Sequence, residues 1–136
     1  MKGKELLKLI PQRYPFMMID EADGFNEGSC TTTLSVRYDN YFVVDGDELA
    51  ETGLIEHIAQ SASALAGYKS LGADAPPVGI IGEVKRFECH RRPKVGEKLQ
   101  TKVSFGLSFG NVTLADGETR VDDELIATAK LKIFIQ

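Results

Sequence analysis

At 136 residues the chain is long enough for one domain with one sizeable core. Hydrophobic residues make up 43% and charged residues 26%, ordinary globular usage that excludes a disordered or low-complexity protein. The formal net charge of −4 sets a field that disfavours nucleic acid as a partner.

No apolar run approaches the roughly 18 residues needed to span a bilayer, so no membrane partner is expected. Met1–Ile10 carries lysines but no apolar core followed by a small-residue cleavage site. Cys30 and Cys89 are the only cysteines, too few for a disulfide framework, and no CxxC spacing suggests a metal. A reducing cytoplasm is the simplest compartment. The one basic cluster, Lys85–Arg86 with His90–Arg91–Arg92, is either a solvated strand end or a local patch for an anionic partner.

In chain order, Lys4–Ile10 reads as a short helix with Leu6, Leu7 and Ile10 on one side, stopped by Pro11. Phe16–Ile19 leads into a first strand. Ser29–Tyr38 reads as a second, with Leu34, Val36 and Tyr38 in alternation. The one long helical pattern runs from about Gly53 to Leu71, with Thr52 as N-cap and Gly72 as stop. Its apolar positions Leu54, Ile55, Ile58, Ala62, Leu65 and Ala66 recur at helical spacing, and most of the others are small. Such a helix can be approached closely from several sides.

After Pro76–Pro77 the pattern turns to strands near Val78–Glu88, Lys98–Phe109, Val112–Val121 and Glu124–Ile135. Phe109–Val112 and Val121–Glu124 are tight-turn candidates that suggest a meander. The chain shows no internal repeat or linker, so residues 1–136 read as a single domain. A sheet must bury one face, and the small-residue helix is the only partner for it. The fold class is therefore α+β: a long curved antiparallel sheet wrapped around one central helix.

Two stretches resemble the 3-hydroxyacyl-[acyl-carrier-protein] dehydratases. Ile10–Asp20 (Ile-Pro-Gln-Arg-Tyr-Pro-Phe-Met-Met-Ile-Asp) is similar to that family's signature Leu-Pro-His-Arg-Tyr/Phe-Pro-Phe-Leu-Leu-Val-Asp. Gly53–Gln60 (Gly-Leu-Ile-Glu-His-Ile-Ala-Gln) resembles the start of its central helix, and Glu83–Phe87 followed by Arg92–Pro93 is a weaker echo. The resemblance implies a hot-dog fold whose dimer encloses two acyl tunnels. It also implies that the helix glutamate works with a histidine from the partner subunit, carried in a Gly-His-Phe-Pro-Gly loop. The corresponding loop here, Asn40–Glu51, is shorter and has no histidine, and the signature's own histidine is Gln12. Those departures bear directly on the chemistry.

Removing water from a 3-hydroxyacyl thioester takes a base for the Cα proton, an acid for the leaving hydroxyl, and donors to the thioester oxygen. Glu56, in the first turns of an apolar helix, is the expected acid, against the plainer role of a helix-start carboxylate. His57 is the candidate base, although consecutive helix residues point about 100° apart; its alternative is a hydrogen-bonded core or interface histidine. His90 belongs to the strand-end cluster and is expected to be exposed. Substrate-binding candidates are Gly53, whose N–H suits a thioester oxygen, Gln60 and Ser63 on nearly the face of Glu56, and Arg13 and Tyr14 of the signature. Packing roles compete at each of these five positions.

The expected substrate is a thioester on acyl carrier protein or CoA, in synthesis of the fatty-acid or polyene type, with no cofactor and no metal. The protein is expected to work as a homodimer or higher homo-oligomer, or within a hot-dog heterodimer. Three functions stand together. One is a dehydratase-like protein with a rearranged catalytic pair. Another is a hot-dog thioesterase using Glu56 and Gly53. The last is a non-catalytic partner that completes another subunit's site.

Overall fold

The computed structural model describes residues 1–71 and 79–135. Six strands form one antiparallel sheet: β1 (Glu21–Asp23), β2 (Ser29–Ser35), β5 (Gly79–Cys89), β6 (Lys98–Phe109), β7 (Val112–Val121) and β8 (Glu124–Ile135). Their spatial order is β1-β2-β6-β7-β8-β5. A small hairpin, β3 (Val43–Val44) with β4 (Glu48–Leu49), precedes the one α-helix among the described residues, α1 (Glu51–Lys69). The helix packs against five strands, β2 and β5 to β8. This is the expected one-helix, long-sheet architecture.

The alternation of side chains along the strands decides what faces the helix. Cys30, Thr32 and Leu34 of β2 are buried, as are Leu99, Thr101 and Val103 of β6. Ile58, Ala62 and Leu65 of α1 pack on Cys30, Val103, Ala115 and Leu131, while Leu54 packs with Leu34, Leu49, Leu99 and Ile126. A third cluster sets Leu6, Leu9, Ile10 and Ile19 against Ala64, on another side of the helix. Sheet and N-terminal segment thus enclose α1, which is why its residues must be small. Each large side chain so buried contributes about 1.5–3 kcal/mol.

β6, β7 and β8 have the bounds expected from their alternation, and both hairpins are tight. Asp122 and Asp123 both take positive φ (47° and 70°), as a two-residue type I′ turn requires. The inward phase of β8 is interrupted near its start. Thr119 faces Ala127 while Arg120 faces Leu125, so Ile126 is the extra residue of a bulge and is buried in place of Leu125.

Other expectations shift. Phe16–Ile19 leads into the first strand as expected, but that strand is only Glu21–Asp23. β2 ends at Ser35, and Tyr38 is exposed. The N-terminal helix is a 3₁₀ segment, Gly3–Lys8, in which Leu6 is buried and Leu7 only partly so. α1 starts two residues early, at Glu51 after Ala50, which supplies no side-chain cap; Thr52 lies within its first turn. The expected stop at Gly72 and the Pro76–Pro77 break lie outside the described residues.

The basic cluster is largely spent on structure. Arg91 pairs with Glu97 (2.8 Å) and Glu124 (3.2 Å), and Arg92 with Glu51 (2.8 Å) and Asp45 (3.2 Å). The Arg92 pair pins the first turn of α1 to the β5–β6 connection. His90 is exposed.

At Gly117 in the centre of β7, a Cβ would lie 2.5 Å from Ile58 Cγ2. Helix and sheet meet there with no room for a methyl group. Gly117→Val is expected to destabilise the fold by about 1–3 kcal/mol, the range for overpacked cores, read as a fall in the urea midpoint. An unchanged midpoint would mean that the contact is loose.

Candidate active site

Before Asp20, whose N–H donates to Thr33 of β2 at 2.7 Å, the signature segment runs alongside α1, and its backbone, buried at Met18, must still find hydrogen bonds. Helix side chains provide them. Gln60 Oε1 accepts the Met18 N–H at 2.6 Å, and Gln60 Nε2 donates to the Phe16 carbonyl at 2.7 Å and to Glu56 Oε1 at 2.9 Å. Gln60 has no exposed surface. All three partners agree on one amide orientation, because the flipped amide would point its oxygen at two acceptors.

Glu56 is half-buried, one helical turn before Gln60. Because α1 begins at Glu51, Glu56 sits in the second turn rather than at the helix terminus. Its defined partner is therefore the Gln60 amide rather than the free N–H groups of the helix end. With Oε1 occupied by that amide, Oε2 is the oxygen left to face a substrate.

His57 lies on the inner side. Its ring is fully buried; Nδ1 is 2.7 Å from the Met18 carbonyl and Nε2 is 2.8 Å from Thr101 Oγ1, itself 2.7 Å from Thr119 Oγ1. A carbonyl can only accept, so Nδ1 carries the proton and Nε2 accepts from the threonine. Both ring nitrogens are engaged, and burial pushes the ring's pKa down to about 4, against smaller opposing effects from the Met18 carbonyl and Asp20. The expected base is thus a neutral core histidine with no lone pair to offer a substrate.

The remaining candidates divide. The Gly53 N–H is already bonded to the Ala50 carbonyl at 2.9 Å, and a Cβ there would sit 2.7 Å from Phe42 Cβ, so this glycine serves close packing. The Arg13 guanidinium donates to the carbonyls of Ile10 (2.7 Å), Gln12 (2.9 Å) and Leu7 (3.1 Å), closing the N-terminal turn. Tyr14 is 83% exposed. Ser63 Oγ is buried and has no hydrogen-bond partner among the described residues. Of the sequence candidates, only Glu56, His57 and Gln60 are brought together.

Sequence reasoning does not single out Thr101, Thr119 or the Met18 backbone. The two threonines do leave a trace: each is polar at an inward position of a strand, where an apolar residue is the norm. Beside the signature segment lies an open cavity of about 390 Å³, lined by Tyr14, Pro15, Met17, Ile19, Arg37 and Asn40 among others. Glu56 is not part of its lining. The Cys30 thiol, pushed up to about 12 by burial, stays protonated and is no nucleophile at neutral pH.

His57 also predicts how stability depends on pH. Its folded pKa lies below the ordinary value of 6.5, so its contribution is fully present above 6.5. That contribution is lost as pH falls from there towards about 4, where the native ring also protonates. The loss amounts to about 3 kcal/mol at most. Urea midpoints at pH 7 and pH 4.5 should therefore converge in His57→Asn relative to the parent; identical pH slopes would contradict a ring held neutral.

The family model described as ApeP-like, ApeP dehydratase, matches residues 4–136. The chain is 31% identical over 144 residues to the 3-hydroxyacyl-[acyl-carrier-protein] dehydratase FabZ of Campylobacter fetus, covering 96% of this chain and 95% of that one. With the enzyme of that name from Sulfurimonas denitrificans it shares 27% over 147 residues, 96% of this chain and 94% of the relative. Among solved structures, the dehydratase heterocomplex ApeI:P of Xenorhabdus doucetiae superposes with a TM-score of 0.85 at 16% identity, covering 96% of this chain and 90% of that one, which shows the hot-dog fold. The matched model, the FabZ relatives and the fold converge: this chain belongs to the ApeP-like family of FabZ-like hot-dog dehydratases.

Proposed function

We propose that this chain is the acid-bearing subunit of a dehydratase acting on 3-hydroxyacyl thioesters held on acyl carrier protein, and that a second, histidine-bearing hot-dog subunit supplies the base. The observation that carries this reading is the contrast between Glu56 and the chain's two histidines. Glu56 is oriented, with one oxygen engaged and one available. His57 is locked in the core, and His90 stands exposed at the end of β5. The loop Asn40–Glu51, where the family carries its histidine, has none. The similar ApeI:P structure is a dehydratase heterocomplex, which supports a two-subunit assembly here.

In this mechanism the partner's base removes a proton from Cα. Glu56, carrying a proton on Oε2, gives it to the departing 3-hydroxyl, so that water leaves and a 2-enoyl thioester forms. Gln60 holds Oε1 throughout. Glu56 does not line the cavity beside the signature segment. The Gly53 N–H expected to polarise the thioester carbonyl is already committed to Ala50, so in dehydration and hydrolysis alike that donor must come from elsewhere.

Purified alone, the chain is expected to leave 3-hydroxyacyl-carrier thioesters intact. Mixed with a histidine-bearing hot-dog homologue, it should yield the 2-enoyl thioester, with no free thiol released. Glu56→Gln should cut that turnover by about 100-fold or more while leaving the complex assembled on size exclusion. Full activity from the chain alone would point to a homodimer with a base elsewhere. Undiminished turnover in the variant would remove Glu56 from the chemistry.

A further inference from the structure

We propose that His57 is a positioning residue for Glu56, acting through the Met18 backbone and Gln60, so that a core hydrogen-bond chain beginning at Thr119 orients the carboxyl group. The inference rests on Glu56 being the reacting acid. Its basis is that every link has a determined direction. The Met18 carbonyl, 2.7 Å from Nδ1, fixes the ring as the Nδ1–H tautomer. Nε2 must then accept from the Thr101 hydroxyl at 2.8 Å, whose own lone pair takes the Thr119 hydrogen at 2.7 Å.

From His57 the chain passes to Met18, both of whose backbone groups are held by α1. Its carbonyl accepts from His57, and its N–H donates to Gln60 Oε1 at 2.6 Å. The Gln60 amide then spends its two hydrogens on the Phe16 carbonyl and on Glu56 Oε1. His57, Gln60, Thr101 and Thr119 have no exposed surface, so water cannot replace a lost link without opening the core. If Met18 loses its hold on His57, the segment can shift, and Gln60 must follow because two of its bonds go to that segment. The carboxyl group then turns.

Two substitutions separate this role from others. In His57→Asn the side-chain amide can take the place of Nδ1 and keep the donation to Met18. In His57→Gln it takes the place of Nε2, keeps the Thr101 contact and loses Met18. In the reconstituted two-subunit complex, the asparagine variant should retain kcat near the parent's. The glutamine variant should lose about 10- to 100-fold, with KM changed by less than about twofold.

Equal losses in the two variants, as a ring acting directly on substrate or one that only fills space would give, overturn the proposal. So does no loss in either. A second measurement needs no activity: long-range ¹H–¹⁵N NMR of the unmodified chain should show His57 as the Nδ1–H tautomer at neutral pH, and the Nε2–H tautomer would refute the chain's direction. Absence of any dehydration by the unmodified complex would instead defeat the functional proposal, leaving the tautomer to decide this one.

Discussion

The site depends on one buried amide. The segment Phe16–Met18 runs along α1 with no strand hydrogen-bonded to its backbone, and a buried backbone without partners costs about 1–3 kcal/mol for each unsatisfied group. Gln60 removes most of that penalty, since it accepts from Met18 and donates to Phe16 from a position one turn beyond Glu56. The same amide hydrogen-bonds the carboxylate. The packing of the segment and the orientation of the acid are therefore one problem with one solution. A change that disturbs either disturbs both.

Seen from the sheet, the division of polar groups is orderly. The helix turns Ile58, Ala62 and Leu65 to the apolar strands, and His57, Gln60 and Ser61 to the side where buried polar groups gather. Each of these three side chains has its partners, with Ser61 Oγ bonded to Thr32 Oγ1 at 2.6 Å and to the His57 carbonyl at 2.7 Å. A satisfied network of this kind specifies one register of segment against helix, which an all-apolar contact would leave freer to slip. Precision at Glu56 follows from that register.

Much of the architecture was legible from residue patterns. The alternation Leu99, Thr101, Val103 and the turn residues Asp122 and Asp123 suffice to place β6, the β7–β8 hairpin and their inward faces. The small-residue run Ala59–Gly67 correctly implied a helix enclosed on more than one side. What the patterns did not reveal depends on partners and register far from each residue in the chain. The hold on Met18 is one such case, since its backbone bonds go to glutamine and histidine side chains on a helix more than 35 residues away. The helix begins at Glu51, whose carboxylate meets Arg92 from beyond β5, a partner the local pattern does not show. Ile126 turns inward through a bulge that no period of two can foresee.

At the site itself, the family-like motif led to Glu56 and Gln60, but not to how they are held. His57 could be read from the sequence only as either a base or a core histidine, because that choice depends on Thr101 and Met18, both more than 35 residues distant in the chain. The amide clamp is tested most directly by Gln60→Leu, which keeps the bulk and removes all three hydrogen bonds. Hydrogen exchange and turnover should be followed together. The account predicts that the Met18 amide, protected in the parent, exchanges freely and that dehydration by the two-subunit complex collapses. A Met18 amide that stays protected in a variant of undiminished turnover would show that the carboxylate is oriented by something else.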